Sequence, residues 1–193
     1  SLNKTVEMIW VKYRDDSKSW LAYHKGLNGG TNPQNYTLNL NSTAAESGSA
    51  SWWNNTAPTS TTFTAGNSTK VNDNGGEYIA MLFASVDGIS KVGSYTGNGT
   101  SSSSTQTITT GFQPRFIIIK SSSDDESWAL YDSVRGWSTS ASGANDDKLL
   151  KLNSDAAQVD KGVGYRTSTG FVLERDGNIN NGNGKEYIYY AHA

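Results

Sequence analysis

An all-β fold built from two copies of one unit is predicted by three features of the 193-residue sequence. Short runs rich in β-branched and aromatic residues alternate apolar with polar positions, the period of a half-buried strand. Turn residues bound these runs, as in Asn74-Gly75-Gly76 and Gly182-Asn183-Gly184, and Gly and Asn tolerate the positive φ of tight turns. The third feature is internal self-similarity. The stretch MIWVKYRDDSKSWLAY from Met8 to Tyr23 aligns without a gap, at an offset of 108, with FIIIKSSSDDESWALY from Phe116 to Tyr131.

In that alignment Ile9 meets Ile117, Lys12 meets Lys120 and Asp16 meets Asp124. Ser19-Trp20 meets Ser127-Trp128, and Tyr23 meets Tyr131. After a short insertion Leu38-Asn39-Leu40-Asn41-Ser42 pairs with Leu150-Lys151-Leu152-Asn153-Ser154, and Phe63 pairs with Phe171. Glu77-Tyr78-Ile79 closes the first unit as Glu186-Tyr187-Ile188 closes the second. The units are residues 8–84 and 116–193, joined by a connector at 85–115.

Strands are expected over 6–13, 19–24, 36–40, 50–54, 61–64 and 77–85 of the first unit, and a single helical turn over 43–46. No segment carries the i, i+3, i+4 apolar pattern of a longer helix. In the connector, 89–95 and 105–109 read as two strands around the Gly97-Asn98-Gly99 turn, with the serine run Ser101 to Ser104 in a hairpin loop. Twelve to fourteen such strands point to an antiparallel β-sandwich or barrel, by the rule of about 8–12 residues per strand. The preferred arrangement is one sandwich domain spanning 1–193 with internal duplication; two tandem sandwiches are the alternative.

Composition narrows the function. The net charge is −2 and no basic cluster occurs, so nucleic acid is not an expected partner. No apolar run is long enough to insert into a membrane. Cysteine is absent, which excludes disulfides, thiolate metal sites and cysteine nucleophiles. Aromatics make up 11% of residues, with six Trp and ten Tyr, a content that belongs to a packed core rather than to a disordered chain.

No catalytic residue, cofactor or metal is expected. The two histidines, His24 and His192, lack a serine partner, and no G-x-S-x-G occurs. His192 takes the place of Phe83 and is expected to pack within a strand. The carboxylates Asp15-Asp16, Asp124-Asp125-Glu126 and Asp146-Asp147 could in principle cleave a glycosidic bond or hold Ca²⁺. The first two groups, however, recur at the same turn of both units and read as solvated turns with local backbone capping.

The aromatics offer the candidate binding residues. Trp20 and Trp128 match across the units and are expected in the core. Trp52-Trp53 has no aromatic counterpart. On a strand, neighbouring side chains face opposite ways, so one indole would face outward. Followed by Asn54-Asn55, it would present a ring to a pyranose and amides to its hydroxyls. Arg135 and Trp137, in a loop rich in Gly and Ser, complete the expected ligand-binding set of Trp52, Trp53, Asn54, Asn55, Arg135 and Trp137.

Several stretches resemble a repeat family of tail and structural proteins of marine tailed bacteriophages, including phages of cyanobacteria. They are Trp53-Asn54-Asn55-Thr56-Ala57-Pro58-Thr59-Ser60 with Phe63, the strand from Tyr78 to Ala84, and Ser90 to Gly99. Gly111-Phe112-Gln113-Pro114-Arg115-Phe116 and Leu130-Tyr131-Asp132-Ser133-Val134-Arg135-Gly136 are also similar. The first unit departs from the pattern, with Thr5-Val6-Glu7 and Tyr23-His24-Lys25-Gly26 at the corresponding places.

The resemblance implies a concanavalin-like or jelly-roll sandwich on a virion tail appendage, acting outside the cell. Its expected partners are host cell-surface polysaccharide, other virion proteins and further copies in a homotrimer. Receptor recognition on a tail fibre is thus the leading expectation. A purely structural virion domain is the alternative, and a polysaccharide depolymerase a more distant one.

Overall fold

The computed structural model describes residues 4–99, 105–141, 147–174 and 177–193. Ser101 to Ser104 and Asp146, singled out above, lie outside the described residues. The fold is all-β, and the described residues form three antiparallel sheets. The first contains β1 (Met8–Tyr13), β2 (Leu21–His24), β3 (Tyr36–Asn39), β4 (Ser47–Gly48) and β5 (Tyr78–Phe83), in the order β4-β3-β2-β1-β5. The second adds β6 (Ser90–Thr96), β8 (Phe116–Ser121), β9 (Ala129–Asp132), β10 (Lys148–Lys151), β11 (Val159–Asp160) and β14 (Glu186–His192) in the order β11-β10-β9-β8-β14-β6. The third is β12 (Gly164–Thr167), β13 (Gly170–Leu173) and β7 (Gln106–Thr109), in the order β12-β13-β7.

Side-chain alternation along each strand sets the layering. In β8, Ile117 and Ile119 join a core with Tyr187, Tyr189, Phe171 and Leu173, between the second and third sheets. Ile118, between them, joins Ala22, Leu38, Trp128 and Ile188, in the seam between the first and second sheets. A sheet covered on both faces reads as a continuous apolar run, which explains Phe116-Ile117-Ile118-Ile119. Each fully buried Ile or Leu contributes about 1.5–3 kcal/mol. Among the described residues no further sheet covers the outer face of the first sheet. Ile9, Val11, Leu21 and Tyr23 are covered instead by Trp53, Val71, Phe63 and Ala65.

Several hydrogen bonds of residues 8–84 have counterparts in 116–193. Leu40 N donates to Trp20 O and Leu152 N to Trp128 O, both at 3.0 Å. Arg14 N donates to Glu77 O and Ser122 N to Glu186 O, both at 2.9 Å. Tyr78 Oη donates to Thr69 O, and Tyr187 Oη to Asn178 O. Each tyrosine hydroxyl also accepts a backbone N–H, from Asp73 and from Gly182 respectively.

Four expectations are corrected. Residues 50–54 are not a strand: Ala50–Trp53 is one α-helical turn, α1. The Ser49 side chain accepts from Ser51 N, and Asn54 closes the turn in the left-handed region, with its N–H on Ala50 O. These are N-cap and C-cap devices. Residues 61–64 form no strand, and 43–46 no helical turn. Trp20 is half-buried, whereas Trp128 is buried and its Nε1 donates to Asn39 O across the seam.

Gly93 lies inside β6, where it is needed. A Cβ at that position would stand 2.5 Å from the Tyr189 ring.

Candidate interaction site

The six expected binding residues do not converge. Successive positions on a helix are about 100° apart rather than opposed, so both indoles of α1 reach the same core. Trp53 is 2% exposed; its Nε1 donates to Tyr36 O at 3.0 Å and its ring meets Tyr23 edge-on. Trp52 is half-buried on that cluster, with Lys70 Nζ 5.5 Å from its ring centre. Asn54 and Asn55 are exposed, each with φ of 51°.

Trp137 lies in the other outer core, 1% exposed, edge-on to Phe171 and beneath the Arg166 guanidinium. Arg135 is half-buried in the turn whose N–H contacts run back to Asp132 O. The expected open platform is therefore reduced to one edge of Trp52 and the two asparagines. Trp53 and Trp137 are core residues, because packing against rings distant in sequence claims them.

What the fold does bring together is apolar. A cleft of about 430 Å³ opens at the seam between the first and second sheets. It is lined by Trp10 and Leu40 from one side and by Phe116, Ile118, Leu130, Asp132 and Leu152 from the other. Trp10 meets Phe83 edge-on at 4.9 Å, Phe83 meets Tyr190 at 5.1 Å, and Phe116 stacks on His192 at 5.6 Å. Asp132 supplies the single carboxylate, and its Oδ1 accepts from Val134 N at 2.7 Å. Walls of mixed aromatic and aliphatic side chains with one acid fit an apolar side chain better than a polyol, whose hydroxyls each need a partner.

The cleft adjoins an unusual strand. Trp10 stands opposite Met81 of β5 in the antiparallel register, so the two share a face. β5 is the edge of the first sheet, and Ile79, Met81 and Leu82 are 43%, 39% and 39% exposed. Its counterpart β14, with the same closing residues, has β6 on the corresponding side, and Ile188 is 1% exposed. No periodicity in Tyr78 to Phe83 distinguishes the exposed strand from the buried one. Neither the edge nor the cleft had a local signal in the sequence.

A family profile described as Domain of unknown function (DUF7483) matches residues 1–193. The chain belongs to this family. No curated protein and no solved structure matches it.

His24 and Glu7 of this DUF7483 chain are both engaged within the fold. Burial pushes His24 down to about 4, so the ring is neutral at pH 7. Gly26 N donates to His24 Nδ1 at 2.9 Å, which leaves Nε2 as the donor to Tyr189 O at 3.2 Å, across the seam. Glu7 is held below the usual carboxylate range: burial alone would raise it, but hydrogen bonds from Lys25 and Ser85 outweigh that. Of the carboxylates of the acidic turns, Asp16 is engaged locally by Ser17 N, whereas Asp15 accepts from Glu77 N, Asp125 from Ala45 N, and Asp124 pairs with Lys185, all distant in sequence.

Proposed function

We propose that this DUF7483 chain is a non-enzymatic structural module of a virion appendage, a tail fibre or related protein of a tailed phage, and that it works by binding other virion proteins. The carrying observation is the open β5 edge, where Ile79, Met81 and Leu82 meet water. Exposed edge strands in free-standing proteins are blunted by charge, proline or bulges, and an apolar patch on such an edge marks an interaction surface. The sequence resemblance to phage tail proteins supplies the setting. In this reading the two units are a duplication forming one concanavalin-like or jelly-roll sandwich, supported by the matching bonds that Leu40 and Leu152 make to Trp20 and Trp128, and that Tyr78 and Tyr187 make to Thr69 and Asn178.

A second reading keeps host surface polysaccharide as the ligand. It is favoured by the half-buried Trp52 beside exposed Asn54 and Asn55. Titrating isolated surface polysaccharide of host-type cells into the chain, beside Trp52→Ala, separates the two. The structural reading expects no saturable binding. Saturable binding that the folded variant loses would replace it with receptor recognition.

A further inference from the structure

We propose that β5 is a self-association edge: two copies of this chain pair their β5 strands antiparallel about a two-fold axis at Ala80. The proposal rests on the structural reading above and names the partner. The backbone of β5 fixes which groups are available. Arg14 N donates to Glu77 O, and Met8 to Tyr13 lie opposite Phe83 to Tyr78. Backbone groups alternate in direction along a strand, so those of residues 77, 79, 81 and 83 turn toward β1. Those of Tyr78, Ala80 and Leu82 turn outward, and among the described residues no strand lies beyond them.

The molecule contains its own precedent for filling this position. Ser122 N donates to Glu186 O exactly where Arg14 N meets Glu77 O in the first unit. The outward groups of β14 therefore belong to Tyr187, Tyr189 and Ala191, the counterparts of Tyr78, Ala80 and Leu82. In β14 they face β6, antiparallel, in register from Glu186↔Thr96 to His192↔Ser90. A sheet edge of this construction thus accepts an antiparallel strand along its length.

The side chains choose the occupant. β5 reads Tyr-Ile-Ala-Met-Leu-Phe, without a charge or a proline, whereas β6, the edge strand of the second sheet, carries Lys91, Ser94 and Thr96 and has outward groups already bonded by Val86, Ser85 and Gln106. An apolar strand is the complement of β5, and β5 of a second copy is one. Outward-facing residues must oppose outward-facing residues. Ala80 against Ala80 meets that condition, with Tyr78 opposite Leu82 and Ile79 opposite Met81. The smallest side chain then sits at the axis. Antiparallel pairing of identical strands is isologous and closes at two copies. It joins two five-stranded sheets into one continuous sheet. A three-fold arrangement cannot pair β5 with itself.

Sedimentation of the full chain over a concentration series tests this, with hydrogen exchange read at Tyr78, Ala80 and Leu82. The expected result is a monomer–dimer equilibrium in which these three amides slow as dimer forms. Ala80→Pro removes an outward N–H and Leu82→Lys places a charge on the edge without touching the backbone. Each is expected to raise the dimer dissociation constant by on the order of tenfold or more. A wild-type chain that stays monomeric at about 1 mM, or an oligomer of any size that both variants leave intact, overturns the proposal. Either outcome removes self-pairing alone. The structural reading falls separately, on saturable polysaccharide binding.

Discussion

Lys12 and Lys120 stand 108 positions apart and play corresponding roles: each sends its ammonium to the carbonyl of the last residue of its strand and into the acidic turn that follows. Lys12 Nζ donates to Tyr13 O, Asp16 O and Lys18 O at 2.6, 2.7 and 3.0 Å. Lys120 Nζ donates to Ser121 O and Asp124 O. The turns that read as acidic are therefore each organised around a cation. Burial pushes Lys120 down to about 8, against the pull of Asp125, Glu126 and Asp124.

Replacing Lys120 with Met keeps the apolar stem and strands the carbonyls. Lys120 is fully buried while Lys12 is half-exposed, so the losses differ. Lys120→Met is expected to cost about 2–3 kcal/mol and Lys12→Met about 1 kcal/mol. Urea unfolding of both variants checks the order; a larger loss at Lys12 would count against it.

His24 makes stability depend on pH in the acid range. Its folded value of about 4 lies below the unfolded value of 6.5. The unfolded chain therefore takes up a proton first as pH falls. The contribution of neutral His24 is complete above about pH 6.5 and is lost progressively down to about pH 4, on the order of 3 kcal/mol in all. Its charged neighbours are Lys25, which lowers its pKa, and Glu7, which raises it. NMR titration of the His24 ring is the check: a midpoint near 6.5 in the folded protein would refute the assignment.

The two indoles of α1 separate stability from binding. Trp53→Ala removes a buried ring and its bond to Tyr36 O, and is expected to cost about 3–5 kcal/mol. Trp52→Ala, at a half-buried site, should cost about 1–2 kcal/mol and leave a folded chain. Thermal unfolding distinguishes them, and equal losses would contradict the burial difference. Trp52→Ala is for this reason the variant suited to ligand titrations.

The strands were legible because period-two alternation and Gly/Asn turns are local. β1, β2 and β3 begin within two residues of where their patterns place them. α1 was not legible, since four residues carry no helical period and two adjacent tryptophans look like a strand. Its helix depends on the Ser49 and Asn54 caps. The burial of Trp137 was also hidden: its loop is polar, and Phe171, the ring that covers it, is 34 positions away. The contrast between β5 and β14 had no trace at all in their side chains. It arises from β6, which lies beside one and not the other.

The central claim, that the β5 edge is where this protein meets its partners, is tested most directly by amide hydrogen exchange at Tyr78, Ala80 and Leu82. These amides would be compared between the dilute isolated chain and the same chain within the virion appendage proposed above. The account predicts fast exchange in the isolated chain and strong protection on assembly, with the β14 amides protected in both. Equally fast exchange at the three positions in the assembled state would contradict it.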